Sequence, residues 1–144
     1  MSDQDFLNCE LLLYSGHYKE AFNCFTSLLQ VKDISDKEVS NIYNYLGVLI
    51  TIEPSLSKEE DESGLEFYLQ AVRLNEKNTD AWLNIAGSFG DIQPVDHNNA
   101  EAFLNAMAYL LNALDELSES QKETVNSRLD KYKGLFSSKL ESMR

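Results

Sequence analysis

Along most of the chain, apolar residues recur at steps of three and four, the period of a helix with one buried face. The clearest run is Trp82-x-x-Ile85-Ala86-x-x-Phe89, bulky at its ends and small in its middle. Tyr43-x-x-Leu46-Gly47-x-x-Ile50 nearly repeats it forty residues earlier. A small residue in that place lets a neighbouring helix come close, and the bulky ones fill the space beside it. Taken in order, periodicity and capping residues predict seven helices. The first runs from about Asp3 to Tyr14, capped by Ser2 or Asp3 and stopped by Gly16. The second spans about Tyr18 to Val31. The third runs from Ser35 or Asp36 to Ile52 and ends at Glu53-Pro54, because proline disfavours helical geometry in the residue before it. Ser57 and Glu60 form a capping box that starts the fourth, which reaches about Asn75. Asp80 to Phe89 and Asn99 to Leu117 are the fifth and sixth. Ser118-Glu-Ser120-x-x-Glu123 opens the last, whose Val125, Leu129, Tyr132, Phe136, Leu140 and Met143 make one apolar stripe.

The spacing of the small positions carries a second layer of order. Gly64, Tyr68 and Ala71 repeat the small–aromatic–small device in the fourth helix, and Gly64 lies 22 residues before Ala86. Near the N-terminus, Gly16-x-Tyr18-x-x-Ala21-x-x-x-Phe25-x-x-Leu28 has the same form, with Ala21 placed 12 residues after Cys9. In residue type and in spacing the chain resembles the tetratricopeptide repeat (TPR) family, whose first helix reads Trp-x-x-Leu-Gly-x-x-Tyr within a period of ~34 residues. The resemblance implies an all-α fold, a TPR-like right-handed superhelix of about seven antiparallel helices in one domain. Its repeats cover about 2–35, 36–77 and 78–117, with a capping helix at 119–143. The register departs from the family in repeat one, where Asp5 and Asn8 replace a large aromatic and a Leu. Insertions fall at 32–39, 53–61 and 90–99, and they are either specificity loops or drift. The final helix covers the edge of the last repeat; dimerisation (a homodimer) or a membrane-surface role is its alternative reading.

Composition changes this picture only through charge. Net charge is −12, which opposes nucleic-acid and anionic-lipid partners. Residues 1–117 hold 6 Lys+Arg against 20 Asp+Glu, whereas 118–144 hold 6 against 4. Such an acidic body either favours basic partners or simply keeps the protein soluble. No apolar run reaches the ~18 residues of a membrane span, and Met1-Ser-Asp-Gln-Asp does not resemble the start of a signal peptide. A cytoplasmic location is therefore expected. Cys9 and Cys24 show neither a metal nor a redox spacing, and Cys9 is expected to be a buried, reduced thiol.

A search for chemistry finds no constellation for it. His17 and His97 stand alone, Asp91–Asn99 lacks the ligand order of a calcium loop, and no phosphate loop or nucleophile elbow is present. The acidic run Glu59–Glu62 complements a helix N-terminus. The expectation is therefore no enzyme, no metal and no cofactor. The TPR resemblance implies a concave groove that holds a peptide or a helix. Carried onto this chain, its candidates are Phe6 and Glu10, then Asn41, Asn44, Tyr45 and Val48, then Leu83, Asn84 and Gly87. Asn44 and Asn84 are expected to hold a peptide backbone, since an amide both donates and accepts. None of these positions is basic, unlike the family members that grip chaperone C-termini. A partner protein or peptide of basic or amphipathic character is expected, in an adaptor; the alternative is a bacterial secretion-type chaperone for one client.

Overall fold

The computed structural model describes residues 2–57, 63–88 and 97–142, and every element among them is helical. Seven α-helices follow one another: α1 Asp3–Tyr14, α2 Tyr18–Leu28, α3 Asp36–Ile52, α4 Gly64–Leu74, α5 Thr79–Ser88, α6 His97–Asn112 and α7 Glu119–Ser142. Among the described residues, 3-10 turns at Pro54–Leu56 and Leu114–Glu116 follow α3 and α6. Among the described residues, no helix is long and apolar enough to cross a membrane. The chain divides into two compact units, residues 1–81 and 82–144.

In the first unit, α1 ends where Gly16 adopts φ +84°. The amide of His17 bonds back to Leu12 O at 2.9 Å and that of Gly16 to Leu13 O at 3.1 Å. This pair of bonds satisfies carbonyls that the helix end would otherwise strand. α2 stops at Leu28, three residues short of the expected end. The amides of Leu29, Gln30 and Val31 turn to carbonyls three residues back, a tightening incompatible with further α-helix. Asp33, at φ 62°, then redirects the chain.

Ser35 starts α3 with a full capping box. Its hydroxyl oxygen accepts from the Glu38 amide at 3.1 Å, and Glu38 Oε1 accepts from the Ser35 amide at 3.1 Å. The Ser35 backbone N–H at 3.1 Å, and after it the Ser35 hydroxyl at 2.9 Å, donate to Glu38 Oε1 and hold the carboxyl below its usual range. A lowered carboxyl contributes stability above that usual range and loses it as pH falls through the lowered value. Loss of the cap in Ser35→Ala should lower the melting temperature of the unit at neutral pH. It should also flatten the acid limb of a pH–melting series; an unchanged acid limb would show that Glu38 owes its shift to something else.

α3 and α4 run antiparallel. Ser40 donates to Ala71 O at 2.6 Å near one end, and Thr51 meets Tyr68 OH at 3.2 Å near the other. Between them the helices touch through glycine. A Cβ on Gly47 would stand 2.5 Å from the Tyr68 ring and 2.9 Å from Gly64 O. One on Gly64 would strike Thr51 Oγ1 and the Gly47 carbonyl. The main cluster joins Cys9 and Leu13 of α1, Ala21, Phe25 and Leu28 of α2, and Ile42, Leu46 and Leu49 of α3. Asn78, also buried, donates to Ser40 Oγ at 2.9 Å and accepts from the Ala81 amide at 3.2 Å, capping α5.

The expectation for the cysteines is overturned. Cys9 is buried, but it is bonded to Cys24 in a disulfide across the α1–α2 hairpin, with Cα atoms 5.4 Å apart. Helix pairing brings together two cysteines whose separation of 15 residues carries no signal of its own. The start of the fourth helix also differs. Ser57 is extended, α4 begins at Gly64 after Ser63, and Glu60 lies outside the described residues.

In the second unit, Ile85 and Ala86 of α5, Phe103, Ala106 and Leu110 of α6 and Val125 of α7 are all buried. Trp82 stacks on Tyr109 with ring centroids 5.3 Å apart, joining α5 to α6. α6 begins at His97, in a stretch expected to be loop. The capping box of α7 forms at Ser118 and Gln121, whose bonds are 3.0 and 3.1 Å, inside the Ser118–Glu123 stretch expected to open the helix. Phe89 and Met143, both assigned from sequence to apolar faces, lie outside the described residues. So do the acidic run at 59–62 and most of the loop at 90–99.

Candidate functional site

Tyr45 is the centre of the face of α3 that sequence marks as functional. Its ring stacks on Phe25 with centroids 4.9 Å apart and planes 7° from parallel. Phe6 closes edge-on against both rings, 5.5 Å from Tyr45 and 5.7 Å from Phe25. The Tyr45 hydroxyl donates to Glu10 Oε2 at 2.6 Å. With that proton committed, the contact of 3.4 Å to Tyr14 OH is one in which Tyr14 donates. Burial pushes the Tyr45 phenol well above its ordinary value, and the bond to the Glu10 carboxylate reinforces the shift. Tyr45 is therefore a neutral donor at any physiological pH, and it fixes Glu10 as an acceptor on the α1 side.

Asn41, Tyr45, Val48 and Ile52 follow at steps of four, three and four, so they share one face of α3. The first three are half-buried, and Ile52 is 48% exposed. Asn41 Oδ1 already accepts from Asn78 Nδ2 at 3.3 Å. Asn44 is a different case. It is only 8% exposed and engaged inside the protein, so its amide is not offered to a peptide. A buried polar side chain needs its internal partner, which is why this surface assignment does not hold for Asn44. Phe6 packs on Tyr45 and Glu10 accepts its proton, and both stay half-exposed beside it.

Leu83, Asn84 and Gly87 belong to the second unit, where all three are half-buried on α5. Asn84 has an internal partner. Gly87 lies beneath the Arg128 guanidinium of α7, whose Nη2 would stand 3.6 Å from a Cβ at that position. Gly87 is thus covered by a side chain of the protein itself. A cation stands beside a position read from sequence as free of basic residues.

Sequence reasoning missed the exposed side of α1. Leu7, Leu11 and Tyr14 are 45, 55 and 72% exposed and recur at steps of four and three. That spacing was visible, but the register was read around Cys9 and drew attention to the opposite flank. Also missed was a cleft of about 730 Å3. It lies between the start of α2 and the segment after α3, where His17, Phe22 and Thr26 face Glu53, Ser55 and Leu56. It shares no residue with the expected groove. Its wall depends on the Pro54 turn folding back, which no local pattern signals. Among the described residues, no three His, Cys, Asp or Glu side chains gather as a metal-binding set.

Comparison of the chain with family profiles, with curated proteins and with solved structures yields no match.

Proposed function

We propose that this protein is a non-catalytic, TPR-like interaction module that docks a basic or amphipathic peptide or helix on the face of α3 that carries Tyr45. The observation that carries this reading is the continuous Asn41–Tyr45–Val48–Ile52 face. It joins the exposed Tyr14 at the paired hydroxyls and is edged by the Glu10 carboxylate. Apolar side chains supply contact area there and the carboxylate supplies sign, the usual division of labour in a docking surface. The TPR part of the reading is supported by the small positions Cys9, Ala21, Gly47, Gly64 and Ala86, every one of which is buried. It is supported further by the direct contact between Gly47 and Gly64.

A cytoplasmic location fits this reading if the Cys9–Cys24 bond is one that forms and breaks, since cytosolic thiols are held reduced. The chaperone alternative differs in partner, not in face.

The test is capture of partners on immobilised protein, followed by titration of the captured partner against Val48→Glu/Ile52→Glu. Both side chains reach the surface, so the double variant should melt like the parent and bind at least about tenfold more weakly. Affinity of the parent should fall as salt rises. A double variant that binds as tightly as the parent would remove the α3 face from consideration and leave the cleft beside His17 as the next surface to probe.

A further inference from the structure

Cys9 and Cys24 have no part in docking itself, yet each stands next in sequence to a residue that holds Tyr45. Glu10 follows Cys9 and accepts the Tyr45 proton. Phe25 follows Cys24 and stacks on the Tyr45 ring. The disulfide thus ties together the two helices from which Tyr45 is gripped. Its two half-cystines are not equivalent, because Cys9 is fully buried and Cys24 is a half-buried residue. Exchange needs a thiolate to reach a sulfur, and access decides which one.

We propose that Cys9–Cys24 is a regulatory disulfide, opened at Cys24 Sγ by a dithiol reductant, whose state sets how firmly Tyr45 is held in the docking face. A reductant thiolate forms a bond to Cys24 Sγ while the Sγ–Sγ bond breaks, and Cys9 leaves and takes up a proton. The second thiolate of the reductant then attacks its own sulfur in the mixed disulfide. Cys24 is released, is protonated in turn, and the reductant ends as a disulfide. Two electrons and two protons pass to the protein. Once cut, α1 and α2 remain paired by packing alone, and the Glu10 and Phe25 contacts loosen together. Lower docking affinity follows in the reduced state, a consequence that rests on the docking reading above; the opening of the bond and the release of Tyr45 do not.

Glutathione and dithiothreitol are the probes. Brief exposure to glutathione, an acid quench and peptide mass mapping should place the mixed disulfide on Cys24. In protein carrying isotope-labelled tyrosine, the Tyr45 ring protons lie over the Phe25 face and are shifted by it. Millimolar dithiothreitol should move them towards free-tyrosine positions, and reoxidation should bring them back, with Tyr45→Phe assigning the signal. Amide exchange in α1 should quicken about tenfold on reduction. Cys9→Ala/Cys24→Ala should match the reduced protein. If that variant folds poorly, the reversible change in the parent remains decisive. Glutathione found on Cys9, a bond that resists dithiothreitol in the folded protein, or Tyr45 resonances unmoved by reduction would each overturn the proposal. None of these measurements uses a docking partner, so failure of the docking reading would show separately in the Val48/Ile52 titration.

Discussion

Cys9→Ala/Cys24→Ala lowers the stability of residues 1–81 by about 3 kcal/mol, the chain-entropy value for a bridge closing a 15-residue loop. The substitution adds little of its own. Alanine is the better helix former at both positions, and at the buried Cys9 it removes only one sulfur from a tightly packed site. The loss therefore reports the missing cross-link. Urea unfolding of the oxidised parent, the reduced parent and the variant checks it. The last two curves should superimpose, well to the left of the first. Coincidence of all three would mean that strain in the folded bridge cancels its effect on the unfolded chain, leaving the bond energetically idle.

Gly47→Ala is the second large effect, and its sign is set by a contest. Alanine in a helix interior gains up to about 1 kcal/mol over glycine. Against this, the new methyl would meet the Tyr68 ring at 2.5 Å and the Gly64 carbonyl at 2.9 Å. The Tyr68 ring is buried and cannot swing clear, and the second obstacle is backbone. Overpacking of this kind costs about 1–3 kcal/mol, so strain wins and α3 is pushed off α4. The melting temperature should fall, and the Tyr68–Thr51 hydrogen bond should be lost with it. A variant as stable as the parent would show that the two helices can part without penalty. It would also count against the close-packing register on which the repeat assignment stands.

Sequence reading succeeded where a boundary is written in local chemistry. α1 and α3 begin and end where expected, because Ser2, Ser35 with Glu38, Gly16 and Glu53-Pro54 act within a turn of themselves. α7 begins at Glu119, within the Ser118–Glu123 stretch expected to open it. Sequence reading failed at α4, where Ser57-x-x-Glu60 fits a capping box yet the helix begins at Gly64 after Ser63. It failed again where the determinant is tertiary. The disulfide appears only once α1 lies on α2. The TPR register assigns Asn44 to the groove surface, but its place on α3 turns it inward. Tyr45 is a groove candidate through the TPR resemblance, and its hydroxyl proves already committed to Glu10.

The buried link from Asn78 through Ser40 to the Ala71 carbonyl has a kinetic consequence. It joins groups 38 and 31 residues apart along the chain, far more than the 15 that separate the cysteines. Closing such a span has an entropic cost before any bond rewards it, so the link belongs to the late side of the folding barrier. Ser40→Ala removes one of the two donors to the Ala71 carbonyl, which keeps the Asn75 amide, and strands an Asn78 donor in the native state while leaving the earlier hairpins intact. Its effect should fall on the unfolding rate, with the refolding rate nearly unchanged. Ser40 would then govern how long the first unit stays folded, and have almost no say in how fast it gets there.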